Sequence, residues 1–319
     1  MFLNKSIFLS YLKNLKCFEN KPCVAVGVSG GPDSMALTFL LNSWIKLNKG
    51  KLSALIFDHS IRHNSEEESF LVKNMLNVLK IETFIIKAKK NKLIKKNMAQ
   101  ARINRFEGLI NFCNKNNIFH LFLGHHFDDN LETFLIRKIN GSNLEGLNSM
   151  NHITYFNNIQ ILRPLIGINK SSILKFNKKN KINYISDPSN KDINYTRVKV
   201  RNFLQNKKYK KVVHSDFLNL KKKIPDYKKM IWELLLKSLA DVQANKIKIS
   251  FNKLIEFDDL IIEKHILLIL KFFSNKNNQI KSSKINIFIE ALKKPSFRIF
   301  NLRGVNIQKK SDFLLFSQK

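Results

Sequence analysis

The sequence predicts an α/β fold, a parallel sheet with helices on both faces, followed by a smaller, mainly helical C-terminal domain. Three observations predict it. Short apolar runs alternate with helical patterns through the first half, the order that strand–helix–strand units leave in a chain. The first apolar run ends in a glycine turn, Ser29-Gly30-Gly31, that leads straight into a helical pattern. After Pro164 the alternation stops, and a basic stretch gives way to a long helical one.

In chain order, MFLNKSIFLSYLKNLKCFENKP is amphipathic and basic. It enters the next apolar run without a cleavage signature, so it reads as a first helix rather than a transit peptide. VAVGV (24–28) is a strand, MALTFLLNSWIKL (35–47) a helix, LSALIF (52–57) a strand, and residues 66–80 a helix. TFIIK (83–87) is a strand, MAQARINRFEGLINFCNKNN (98–117) a helix, and HLFLG (120–124) a strand. The strands are short runs rich in β-branched and aromatic residues, and the helices repeat their apolar positions at helical spacing. Ligands of such sheets lie at the carboxyl ends of the strands. From Lys170 to Lys223, sixteen Lys or Arg stand against three acids, Asp187, Asp192 and Asp216. A helical region is predicted from about Asp226 to Phe273, and FRIFNLRGVNIQKKSDFLLF ends the chain as short strands. The predicted domains are 1–205, the α/β part, and 206–319, mainly helical with short terminal strands.

A chain of 319 residues, 44% of them apolar, can bury a sizeable core and is long enough for two domains. Its apolar runs are broken by charge well short of the ~20 residues that a membrane span needs, so no membrane is expected. Cys17, Cys23 and Cys113 form neither a CxxC pair nor an even disulfide set, which points to a reducing compartment, the cytoplasm. The formal charge of +32 suits a nucleic-acid partner, while the abundance of Lys, Asn, Ile and Phe equally suits A/T-driven drift over a solvated surface. Nine of the basic residues are arginine, and seven of them (Arg62, Arg102, Arg105, Arg137, Arg163, Arg197 and Arg201) lie in the first two thirds. A guanidinium offers a planar fork that an ammonium cannot imitate, so these positions are candidates for bidentate contacts to phosphate or carboxylate.

The stretch VAVGVSGGPDSMAL holds the first site. Gly30 and Gly31 free the backbone to approach an anion, the helix opening at Ser34 to Leu37 offers amides and a positive dipole end, and Ser29 and Ser34 add hydroxyls. Ser29, Gly30, Gly31, Pro32, Asp33 and Ser34 are the predicted nucleotide-binding residues. No lysine follows the glycines, and Asp33 would repel phosphate unless a cation stood between them, so it is read as a ligand of Mg2+. The structural alternative is Asp33 as a helix cap.

Three further stretches fall at strand ends or on helices. Asp58, His59 and Arg62 follow the second strand in DHSIRHNSEEE, with functional and structural roles equally open. Gln100, Arg102 and Arg105 lie on a predicted helix, where Arg102 and Arg105 share a face that could clamp a triphosphate or RNA phosphate, or simply meet solvent. GHHFDDNLET sets His125 and His126 at the sheet edge and gathers Asp128, Asp129 and Glu132 in the first turn of a helix. So many carboxylates call for a cation, whether a metal, a lysine ammonium or both. The same His and Asp density also fits a transition-metal site.

SGGPDS after a buried strand resembles the signature of the ATP pyrophosphatases, the PP-loop superfamily, whose fold is adenine nucleotide alpha hydrolase-like. With DHSIRHNSEEE, MAQARINRF, GHHFDDNLETFLIRKINGSNLEGLNSM, RPLIGINKSSI and DPSNKDINYTRVKVR, residues 22–204 resemble the tRNA(Ile)-lysidine synthetase family, in the length of its short members. Asn130 and the run Val198 to Arg201 depart from the family's usual Gln and its more arginine-rich run. The resemblance implies ATP and Mg2+ as cofactors, with a tRNA(Ile) bearing a CAU anticodon and L-lysine as substrates and no protein partner required. ATP adenylates the 2-carbonyl oxygen of the wobble cytidine and pyrophosphate leaves. The lysine amine then displaces AMP. It further implies catalytic roles for Asp33, His125, Asp128, Asp129, Glu132 and Arg102, with Glu132 and Asp128 taking the lysine ammonium, and tRNA or lysine contacts from Arg105, Arg137, Arg197 and Arg201. Two other functions compete. One is a thiolase of the same superfamily, which would commonly carry paired cysteines; the other is a non-catalytic basic RNA-binding protein.

Overall fold

The structure, a computed structural model, describes residues 2–59, 65–88, 98–185, 195–273 and 282–318. Its contacts divide the chain into two units, Met1–Leu220 and Lys221–Lys319.

The first unit is built on strands β1 (Cys23–Val28), β2 (Lys51–Asp58), β3 (Glu82–Lys87), β4 (His120–Leu123), β5 (Ile153–Phe156) and β6 (Ile159–Leu162). They lie in the order β3-β2-β1-β4-β6-β5, all parallel except the edge strand β5, which runs antiparallel to β6. Side chains alternate along β1. Val24, Val26 and Val28 join one core and Ala25 the other. The first core takes α1 (Lys5–Leu15), α2 (Pro32–Asn48), α3 (Ser65–Asn77) and α7 (Lys170–Lys179), through Phe8, Leu12, Leu37, Leu40, Val72, Leu76, Ile173 and Phe176. The second takes α4 (Met98–Lys115), through Leu109, Ile110 and Cys113. The helices on both faces cover the central strands β1, β2, β4 and β6, which are buried along most of their length.

The chain reverses its direction across the sheet between β1 and β4, which are hydrogen-bonded neighbours. Such a switch point leaves a crevice at the carboxyl ends of the two strands. Gly124 makes this crevice narrow, since a Cβ there would lie 3.1 Å from the backbone of Asp33 and Ser34. A third, small cluster joins α5 (Phe127–Ile139) to α8 (Thr196–Phe203) and the first turns of α9 (Lys207–Ser238), through Leu131, Phe134, Val200, Leu204, Val213 and Phe217.

The second unit is more β-rich than its sequence suggests. The sequence predicts helix over residues 226–273, yet β7 (Leu239–Gln243) and β8 (Lys246–Ser250) interrupt it. With β9 (Ile299–Leu302), β10 (Val305–Lys310) and β11 (Phe313–Gln318) they form a five-stranded antiparallel sheet, in the order β7-β8-β11-β10-β9. Ile247, Ile249, Ile307, Leu314 and Phe316 form its core with α11 (Asp259–Phe273) and α12 (Ser282–Leu292). No described helix is long and apolar enough to cross a membrane.

Candidate active site at the sheet's switch point

The loop after β1 turns at Gly30, whose φ of +78° puts it in the left-handed region; a Cβ there would meet Val72 at 2.6 Å. Ser34 braces the turn. Its hydroxyl donates to the Gly31 carbonyl (3.0 Å) and accepts from the Ser29 amide (3.2 Å). Asn177 of α7 donates to the Pro32 carbonyl (2.8 Å), and the Ile185 amide to that of Gly30 (2.9 Å). The helix starts earlier than predicted, at Pro32 with Gly31 as cap, because the Met35 amide already bonds the Gly31 carbonyl. The amides without an intrahelical partner are thus those of Gly31, Asp33 and Ser34, not the run from Ser34 to Leu37.

Asp33 is not the cap. One carboxylate oxygen, Oδ2, accepts from Lys170 Nζ at 2.6 Å, whereas Oδ1 is buried with no hydrogen-bond partner. The lysine missing from the loop in sequence is delivered in space by the first residue of α7.

The turn after β4 is closed by His126, which caps α5 reciprocally with Asp129. The Asp129 amide donates to His126 Nδ1 (3.3 Å), and the His126 amide donates to Asp129 Oδ2 (3.1 Å). An accepting Nδ1 places the proton on Nε2, which lies 3.5 Å from Asp129 Oδ2 and 3.8 Å from Asp33 Oδ2. His126, rather than His125, therefore joins the two acidic sites.

Glu132 is 2% exposed. Arg201 Nε donates to its Oε1 (2.8 Å), and Arg197 Nε (2.7 Å) and an Arg201 terminal nitrogen (3.3 Å) donate to its Oε2. Arg197 also donates to Asp129 Oδ1 at 2.8 Å. Asp128 has other partners, the Lys170 amide (2.8 Å) and the Lys210 ammonium. Asp128 and Glu132, expected to take one substrate ammonium together, each have their own cations within the chain. Arg137, predicted to contact substrate, instead donates to the Gly146 carbonyl (2.6 Å) and ties α5 to the short α6 (Leu144–Leu147). Asn130 is a bracket as well. It accepts from the Met150 amide (2.8 Å) and donates to the Met150 carbonyl (3.1 Å).

Burial raises Asp128 and Asp129, but the Lys170 amide and Lys210 on the first, and His126 and Arg197 on the second, pull both below the usual carboxylate range. Arg102 and Arg105 have no carboxylate partner within ion-pair distance among the described residues. Burial weakens the proton affinity of both; Arg197 then lowers Arg102 further, and Arg102 lowers Arg105. Asp129 offsets this only in part, and neighbouring guanidiniums with so little counter-charge suit a polyanion. Burial, aided by Arg163, Arg102 and Arg105, pushes His125 down to about 3, so its imidazole is neutral at physiological pH. Its Nδ1 is buried without a partner. Asp58 is buried beside this region and burial lowers His59; Arg62 lies outside the described residues.

The folded His125 refuses a proton that the unfolded chain accepts below the ordinary value of 6.5, so stability should be lost as pH falls through that value. Melting curves between pH 8 and 5 should show a falling Tm, with a shallower fall in His125→Gln. An unchanged Tm across that range would refute it.

Among the described residues no group of three or more His, Cys, Asp or Glu is arranged to hold a metal ion. A magnesium ion has different needs. It keeps several waters and takes one or two carboxylates together with substrate phosphates. The buried, unpartnered Oδ1 of Asp33 fits such a ligand.

Comparison with known proteins places these residues in a family. The PP-loop domain matches residues 4–208. The chain is 36% identical over 198 residues to the tRNA(Ile)-lysidine synthase of Orientia tsutsugamushi, covering 62% of this chain and 45% of that one. It is 39% identical to that of Wolbachia pipientis (60% and 45%) and 31% identical to that of Rickettsia felis (77% and 57%). It thus spans about half the length of these relatives. Among solved structures, the U34-tRNA thiolase NcsA of Methanococcus maripaludis shares the fold, with a TM-score of 0.57 at 20% identity over 68% of this chain and 77% of that one. The match covers the phosphate loop, the acidic turn and the arginines that meet it, and the chain belongs to the PP-loop family of ATP-utilising domains.

Proposed function

We propose that this protein is a tRNA(Ile)-lysidine synthase, a ligase that adenylates the wobble cytidine of a CAU-anticodon tRNA(Ile) and then joins L-lysine to it. The observation that carries this reading is the meeting, at one switch point, of a phosphate loop with a charge-clad acidic turn. The open amides of Gly31, Asp33 and Ser34 would receive the ATP phosphates, and Asp33 Oδ1 would hold magnesium. That ion would offset charge gathering on departing pyrophosphate. Arg102 and Arg105, which have no ion-pair partner among the described residues, would add positive charge toward this polyanion. Asp129, Glu132 and Arg197 offer both signs of charge side by side, as a free amino acid needs. His126 Nε2, between Asp33 and Asp129, is placed to shuttle or hold a proton where the two half-reactions meet.

In the first step the cytidine oxygen attacks the α-phosphorus and the bond to pyrophosphate breaks. In the second, the lysine amine attacks the activated carbon, AMP leaves and the amine loses a proton. The thiolase alternative is disfavoured by the cysteines. Cys23 opens β1 at the edge of the sheet opposite the site, and burial pushes Cys113 up to about 12. All three thiols are free, consistent with a cytoplasmic enzyme.

The test is pyrophosphate release from ATP on adding the tRNA, followed by lysine incorporation; a binding module or a thiolase gives no lysine-bearing RNA. The tRNA dissociation constant should also rise steeply with salt, as expected where lysines displace counterions from phosphates. A flat dependence between low and physiological ionic strength would mean that most of the +32 charge takes no part in binding.

A further inference from the structure

Two aromatic rings on the first unit lie outside its hydrophobic clusters. Phe203, the last residue of α8, and Tyr209, in the first turn of α9, stack with centroids 4.6 Å apart and planes within 5° of parallel. Each residue is nevertheless 46% exposed. The short turn between the helices holds them there. The Asn206 side chain accepts from the Lys208 (2.9 Å) and Tyr209 (3.4 Å) amides, and Leu204 is buried on the opposite side.

The surroundings are cationic. Lys199, Lys207, Lys208 and Lys211 are exposed, and from Tyr195 to Ser215 the chain contains no acidic residue. The same two helices reach the candidate site, through Arg201 to Glu132 and through Lys210 to Asp128.

We propose that the Phe203–Tyr209 pair is a stacking platform for an unpaired base of the RNA substrate, a base that continues the stack on an outer ring face. This rests on the RNA-modifying function proposed above. Parallel, half-exposed rings offer a base a flat apolar surface, and the lysines around them would meet its phosphates, the combination by which single strands are held. A protein partner fits less well, because it would have to cover four exposed lysines with no acidic residue of this segment to balance them.

The test uses a short RNA hairpin with a seven-nucleotide loop containing CAU, and a blunt duplex of the same stem, in anisotropy titrations. The variant Phe203→Leu with Tyr209→Leu should bind the hairpin about tenfold more weakly, the equivalent of one lost base stack. Duplex affinity and the salt dependence should stay at wild-type values. Tyr209→Phe, which keeps the ring, should retain wild-type affinity, and emission from Tyr209→Trp should be quenched by hairpin but not by duplex. Hairpin affinity unchanged in the leucine variant overturns the platform, as does an equal loss for hairpin and duplex, or a change of oligomeric state in place of RNA affinity. Failure of the function itself would be seen separately, as wild-type protein that binds hairpin yet releases no pyrophosphate.

Discussion

Asp33→Ala is expected to reduce tRNA-dependent pyrophosphate release by a thousandfold or more, while the dissociation constant for tRNA stays within about twofold of wild type. The structure separates the two effects. Asp33 contributes one oxygen to Lys170 and one buried, unpartnered oxygen that faces no protein donor. The shape of the loop depends on other groups, the Ser34 hydroxyl, the Asn177 amide and the Ile185 backbone. Alanine should therefore leave the loop folded, free Lys170 and remove the cation ligand. Asp33→Asn keeps an acceptor for Lys170 but not the charge, and should be nearly as inactive. Pyrophosphate release, tRNA binding and a melting curve on both variants check this, and near-wild-type release from either would assign the cation elsewhere.

Glu132→Gln should have the second large effect, and of a different kind. The carboxylate is almost fully buried and takes three hydrogen bonds from two guanidiniums. Its loss leaves Arg201 without a partner carboxylate and Arg197 with Asp129 alone. Removing one partner of a buried pair costs roughly 3–5 kcal/mol, and the solvent exposure of the arginines here should bring that to about 2–3 kcal/mol. Lysine affinity should fall while ATP still labels the tRNA, because the phosphate loop makes no contact with Glu132, so the adenylated intermediate should accumulate. A single-turnover assay with ATP labelled at the α-phosphorus, with and without lysine, follows the label on RNA. If Glu132→Gln blocks labelling altogether, the acidic turn serves the first step rather than the second.

What was legible in the sequence was local. A glycine turn after a buried strand and a run of acids after His126 carry their structural meaning within ten residues, and both lie where strand order places ligands. What was not legible depends on distance along the chain. Lys170 and Lys210 are two among 47 lysines, and nothing nearby marks them as the ones that meet Asp33 and Asp128. The arginines were conspicuous by type, yet only folding shows that Arg197 and Arg201 converge on Glu132 from more than sixty residues away, and that Arg137 closes a turn. The strands β7 and β8 differ again. KIKIS alternates with period two, a strand signal, but it lies between two longer helical patterns that outweigh five residues.

The small apolar cluster beneath α5, α8 and the start of α9 has a consequence for motion. Arg197, Arg201 and Lys210, which neutralise the acidic turn, are all carried by helices that dock through this cluster rather than through the two cores of the sheet. A segment anchored by few apolar side chains opens more readily than a central strand, and opens as one piece. Were it to open, the ion pairs of Arg197, Arg201 and Lys210 with the acidic turn would break together, while the phosphate loop stayed braced by α7. Cooperative release of this kind would let the turn admit a cationic substrate in a single local opening, without unfolding the sheet.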